Sequence, residues 1–146
     1  MTLFIPLYLS LLTFIGLYSP LSVLESDECP KYTQGYVKNG HITICPDNLT
    51  MPREEVIKHE VVHLIQSNLG VDTLLPPPVV SHLVSTQMTE AETLSVLVVY
   101  SDSGYMMSEF EARLLQKMPE PVIMTMYRLS QDYAFLTTRY NLSVHM

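Results

Sequence analysis

The chain of 146 residues contains no basic run: Lys and Arg number only 8 against 15 Asp and Glu, giving a net charge of −7. Nucleic acids and anionic membrane surfaces, which are bound through clustered cations, are therefore not expected partners. No segment repeats, so repeat architectures drop out. There are only two cysteines, Cys29 and Cys45, and no CxxC spacing, which argues against a four-ligand thiolate metal site. No charged side chain occurs before Glu25, so the N-terminus lacks the cationic start of a standard secretory signal, and it also lacks an A-x-A-like cleavage site.

What the N-terminus does have is apolar length. Leu3 to Leu24 is dominated by Leu, Ile, Phe and Tyr, interrupted by Pro6, Gly16 and Pro20. Such a stretch is long enough to span a bilayer, but its position and interruptions favour a signal peptide or N-terminal membrane anchor over residues 1–26, with Leu24-Glu25-Ser26 as the cleavage candidate. A buried N-terminal helix is the alternative. Residues 27–146 are then a single domain, secreted or membrane-anchored on the extracytoplasmic side. The cysteines agree with export. They bracket Tyr36-Val37-Lys38, an Asn39-Gly40 turn and His41-Ile42-Thr43-Ile44, the pattern of a type I′ hairpin whose open end a disulfide would staple.

The next segment carries the chemistry. His59-Glu60-Val61-Val62-His63 sets two imidazoles at i and i+4, which a helix presents on one face, close enough to hold one Zn²⁺. Glu60 lies about 100° further round the 3.6-residue period, better placed to act on water than to bind the metal. The surrounding helix is well signalled. Thr50 is the expected N-cap, with Pro52 in the first turn and Glu54 and Glu55 at the positive end of the dipole. Gly70 is the expected stop. Ile57, Val61, Leu64 and Ile65 form an apolar stripe, while Val56, His59, His63 and Gln66 share another face. A plainer reading makes the histidines ordinary residues of an amphipathic helix, satisfied by backbone carbonyls, Glu55 or Gln66.

Taken together, these residues resemble the zincin metallopeptidases. The third histidine of the HExxHxxGxxH branch is missing, because Gln66 is followed by Ser67-Asn68-Leu69-Gly70. Glu109-Phe110-Glu111-Ala112-Arg113 instead resembles the ExxAD or ExEA motif of the gluzincins. That resemblance implies Glu109 as third ligand and Ala112 as the small residue that lets two helices approach. It also implies a departure: Arg113 stands where the family has an aspartate that orients a ligand histidine, so another acceptor, a backbone carbonyl or Glu111, has to serve. Glu111 is the second candidate ligand, and Glu90 or Glu92 the fallback. Simpler explanations exist for both segments. Ser108 with Glu111, and Thr89 with Glu92, are capping boxes, and Glu109 with Arg113 is a helical ion pair.

In zincins an extended substrate pairs with the strand ahead of the active-site helix, here His41 to Cys45. After Gly70, Leu74-Leu75-Pro76-Pro77-Pro78 interrupts helix, and further helices are expected over Val80–Gln87, Glu90–Tyr100, around Glu109 and over Val122–Thr138. His82, Tyr105, Tyr127 and Tyr133 have the chemistry to stabilise an oxyanion, and spacing does not choose among them. The expected fold class is α+β, a small zincin-like domain with a hairpin, an active-site helix and several more helices. The resemblance implies a zinc-dependent peptidase acting on peptides or proteins, with His59, His63 and Glu109 on the metal and Glu60 as general base. The competing reading is a non-catalytic secreted interaction protein that keeps the scaffold, with or without a metal.

Overall fold

In the computed structural model, which describes residues 21–140, a small sheet is followed by five helices, an α+β arrangement. The strands are β1 (Val23–Glu25), β2 (Gly35–Lys38) and β3 (His41–Ile44). Asn39 and Gly40 both have positive φ, 53° and 76°, as a type I′ turn requires, and they join β2 to β3 in antiparallel register. A disulfide joins Cys29 to Cys45, closing a 16-residue separation around the β2–β3 hairpin. A closed loop of that length is worth about 3 kcal/mol by restriction of the unfolded chain.

The sheet holds one strand beyond the expected hairpin. β1 pairs in parallel with β3, matching Val23 with Ile42 and Glu25 with Ile44, so the strand order is β1-β3-β2. Ser22 O accepts from Ile42 N–H at 2.9 Å, and Ser26 N–H donates to Ile44 O at 3.0 Å. The candidate signal or anchor segment 1–26 lies outside the described residues up to position 20, and its last residues form this strand. Cleavage before Asp27 would remove β1 from the sheet.

The expectation that His41 to Cys45 is a sheet edge is corrected: β3 is central, with both sides paired. The edge beside the helices is β2. Cys45 N–H bonds Gln34 O at 2.8 Å, which makes Gln34 with Cys45, Tyr36 with Thr43 and Lys38 with His41 the hydrogen-bonded pairs. The N–H and C=O groups of Gly35 and Val37 accordingly face outward.

The helices are α1 (Arg53–Leu69), α2 (Pro77–Gln87), α3 (Glu90–Tyr100), α4 (Met106–Leu115) and α5 (Glu120–Tyr140). The cap of α1 is Pro52, not Thr50. Thr50 and Met51 instead donate their backbone N–H groups to the Gln34 side chain, at 2.8 and 3.2 Å. At the other end Gly70 takes the left-handed conformation and its N–H caps Gln66 and Ser67 carbonyls. Thr89 caps α3 through Glu92 N–H, whereas Ser108 lies inside α4 and its hydroxyl donates to Tyr105 O, so no capping box opens that helix.

Two apolar clusters hold the domain. The first joins the sheet to α1 and α5 through Ile42, Ile44, Val56, Val61, Leu64, Ile65, Ile123 and Tyr127. The second joins α2, α3 and α4 through Val80, Met88, Val96, Phe110 and Leu114. Each large aliphatic side chain so buried contributes about 1.5–3 kcal/mol. Ala112 is fully buried on α4 as that helix packs on α1. Gly35 does the same service between β2 and α1: a Cβ there would lie 2.9 Å from Val56 Cγ1 and 3.4 Å from Glu60 Cγ.

Candidate metal centre

Helix periodicity puts His59 and His63 on the α1 face that meets α4, and the packing of α4 brings Glu109 opposite them. His59 Nε2 is 2.9 Å from Glu109 Oε1, and His63 Nε2 is 3.0 Å from Glu109 Oε2. The two Nε2 atoms are 3.2 Å apart, with the rings nearly perpendicular at 80°. Tetrahedral zinc with bonds of 2.0–2.1 Å has ligand–ligand edges of about 3.3 Å, so these donor atoms already stand at close to coordinating separations. Among the described residues this is the group of His, Cys, Asp and Glu side chains that could hold a metal ion.

The far side of each imidazole supports the same use. Gln116 Oε1 lies 2.8 Å from His59 Nδ1, and Gln66 Oε1 lies 2.8 Å from His63 Nδ1. An amide oxygen can only accept, so each Nδ1–H donates, and in the neutral ring the lone pair is left on Nε2, where the metal would sit. These two glutamines take over the orienting role that the resemblance assigned to an aspartate at position 113. Glu111 contributes at one remove, accepting from Gln66 Nε2 at 3.1 Å. Arg113 Nε stands 3.6 Å from Glu109 Oε1, an ion pair without a hydrogen bond.

Burial and mutual charge set the proton affinities. Burial raises the Glu109 carboxyl, but hydrogen bonds and charge from His59 and His63 outweigh it and hold Glu109 far below the usual carboxylate range. For His63 burial works downward; the hydrogen bond and charge of Glu109, with help from Glu60 and Gln66, reverse it and raise the ring above its ordinary value. Glu60 is only 7 % exposed, and desolvation by burial pushes its carboxyl up against the lowering charge of the two histidines. Glu60 does not join the group of donor atoms formed by His59, His63 and Glu109.

The other candidates fall elsewhere. Glu111 is fully buried, yet its oxygens are taken by Leu74 N–H, Leu75 N–H and Gln66 and do not join the donor group. Glu92 is engaged at the start of α3 by Thr89 and by Lys117 at 3.3 Å, and Glu90 is exposed beside it, so neither is a ligand. Glu55 pairs with Lys58 at 3.0 Å and leaves the histidines alone. His41 and His82 are exposed, Tyr105 is 70 % exposed, and Tyr127 is in the first apolar cluster, its hydroxyl accepting from Gln131. Tyr133 is half-buried on α5.

Gln116, which contacts His59, and Tyr100, whose phenol responds to the charge of Glu109, were not singled out from the sequence. Gln116 follows Glu109 by seven residues, the same-face spacing that links His59 to Gln66, and that spacing was the available signal. Tyr100 closes α3: burial, then the charge of Glu109, raises its phenol, with Arg113 lowering and Glu60 raising it further. Its hydroxyl therefore keeps its proton in the electrostatic neighbourhood of the site.

Comparison with protein-family models, curated proteins and solved structures found no match. The intramolecular disulfide points to an extracellular or otherwise oxidising environment. No helix among the described residues is long and apolar enough to cross a membrane.

Proposed function

We propose that this chain is a zinc-dependent metallopeptidase of the gluzincin kind, with His59, His63 and Glu109 as zinc ligands and Glu60 as general base. The observation that carries the reading is the convergence of the two imidazole Nε2 atoms, 3.2 Å apart, on the Glu109 carboxylate, one oxygen 2.9 Å from His59 and the other 3.0 Å from His63, with both histidines met from behind by amide oxygens. When bound there, zinc supplies Lewis acidity and lowers the pKa of water. Glu60 takes the proton of the attacking water at its carboxylate and later delivers it to the leaving amine. Tyr100, half-buried at the end of α3 with its phenol raised by burial and then by the charge of Glu109, is the donor assigned to the developing oxyanion.

The substrate class follows from the sheet. The outward N–H and C=O groups of Gly35 and Val37 on β2 can pair with an extended peptide, which recognises backbone rather than sequence. The α1 face that carries Glu60 packs over Gly35, where an added Cβ would come within 3.4 Å of Glu60 Cγ, so this edge strand lies next to the element that carries the proposed base. The interaction-protein alternative has no use for a buried glutamate of raised basicity beside the ligand histidines.

The deciding measurement is metal content and casein hydrolysis by wild type and Glu60→Gln. Stoichiometric zinc in both proteins, with cleavage only by wild type, is the expected result. Wild type purified with zinc available and carrying none would refute the proposal.

A further inference from the structure

Glu111 is the most completely enclosed acidic side chain described, at 0 % exposure, and it is not a ligand. A buried carboxylate is costly unless donors converge on it. Three do. Oε1 accepts from Leu74 N–H at 2.6 Å and from Gln66 Nε2 at 3.1 Å, and Oε2 accepts from Leu75 N–H at 2.8 Å. Two of these donors belong to the segment between α1 and α2; the third belongs to the residue behind His63.

The Gln66 amide has only one orientation that satisfies all its neighbours. Its Nε2 faces two acceptors, Glu111 Oε1 and Ser108 O, each at 3.1 Å. Turning the amide over would set its oxygen against both of them. The oxygen is thereby committed to His63 Nδ1, 2.8 Å away, and the ring must donate there. In the neutral ring the lone pair is then on His63 Nε2, the atom that faces Glu109. Without Glu111 the amide loses the charged acceptor that makes the wrong orientation costly, since a hydrogen bond to an ionised group is roughly twice as strong as a neutral one.

We propose that Glu111 is a positioning residue of the metal centre: acting through Gln66, it holds His63 with Nδ1 as donor and Nε2 turned toward Glu109 and the metal position, and it locks that geometry to the backbone at Leu74 and Leu75. The inference rests on the proposed zinc site and adds to it a mechanical link. Displacing the segment before α2 loosens the carboxylate, then the amide, then the ligand. Glu111 itself touches neither the ion nor the substrate.

The test is a double-mutant cycle on zinc affinity, read by competition with a chromophoric chelator on the full chain. Glu111→Met and Gln66→Met are each expected to weaken zinc binding by about tenfold, the lower end of what partners behind a ligand contribute. The double variant should bind no more weakly than Gln66→Met, because the relay is already cut. Multiplicative losses overturn the relay and leave the zinc site standing; a wild type that binds no zinc overturns both.

If Glu111→Met does not fold, Gln66→Glu decides by sign. A carboxylate behind His63 is ordinarily the better acceptor and would tighten zinc, but here it would face Glu111 at about the 3.1 Å now spanned by the amide. Weaker binding is expected, with recovery when Glu111→Gln is added. Tighter binding in Gln66→Glu, or no recovery in the double variant, overturns the relay.

Discussion

His59 Nδ1 and Gln116 Oε1 stand 2.8 Å apart across 57 residues of sequence, joining the middle of α1 to the residue just past α4. The contact is buried at both ends, His59 at 7 % and Gln116 at 6 % exposure, so water does not replace it if it is lost. Gln116→Leu should lower zinc affinity by 10–100-fold, the usual range for a residue that orients a ligand histidine. Chelator competition measures it; an unchanged affinity would mean that His59 is oriented by something else.

The pH dependence follows from groups with opposite signs. In the metal-free protein the raised pKa of His63 gives a stabilisation that is fully present below about pH 6.5 and lost as pH rises through the folded value. Glu109, with its pKa lowered, stabilises above the ordinary glutamate value of about 4.5 and loses that only as pH falls through its depressed folded value. Glu60 runs against Glu109: raised by burial, it contributes most below about pH 4.5 and withdraws as pH climbs. Zinc requires a neutral His63, so metal uptake releases a proton wherever that ring is charged. The rise in melting temperature on adding zinc should therefore grow between pH 6 and pH 8. A zinc effect independent of pH over that interval would contradict the linkage.

Gly35→Ala is expected to damage both the packing and the chemistry. The new Cβ meets Val56 Cγ1 at 2.9 Å and Thr43 O at 3.1 Å, neither of which can swing clear, and it presses on Glu60 Cγ at 3.4 Å. Overpacking of this kind costs about 1–3 kcal/mol. Turnover should fall by about tenfold or more through displacement of the base, with zinc content unchanged. Thermal melts and kcat on a peptide substrate test the two halves separately.

Tyr100→Phe should keep zinc and stability while lowering kcat, by about 100-fold if the phenol donates to the oxyanion. The matching expectation is a small change in KM, because a transition-state donor contributes little to ground-state binding. Unaltered kcat would remove Tyr100 from the mechanism.

Local chemistry made much of this readable in advance. The Asn39-Gly40 turn, the Gly70 stop and the Thr89 cap are decided by residues within a few positions of one another, and those elements fall where the pattern places them. The meeting of Glu109 with His59 and His63 was accessible only through the resemblance of Glu109-Phe110-Glu111-Ala112 to the gluzincin motif, since spacing by itself left Glu111, Glu90 and Glu92 as alternatives. What escaped was set by tertiary pairing. β1 is three residues at the end of an uncharged apolar stretch, and its strand character comes from β3 rather than from itself. Thr50 reads as a cap from its position, but the Gln34 side chain, 16 residues earlier, claims its backbone first. Gln116 and Gln66 look like ordinary polar helix residues until the opposite helix puts an imidazole or a carboxylate against them.

The two apolar clusters give the metal site a further meaning. His59 and His63 ride on the helix anchored in the sheet-side cluster, and Glu109 rides on a helix anchored in the other. A cation bound by all three would thus act as a rivet between two separately packed halves. Removing it should not loosen the molecule evenly: the α2–α4 half, which has no sheet and no disulfide, is the part that would begin to exchange its amide hydrogens first.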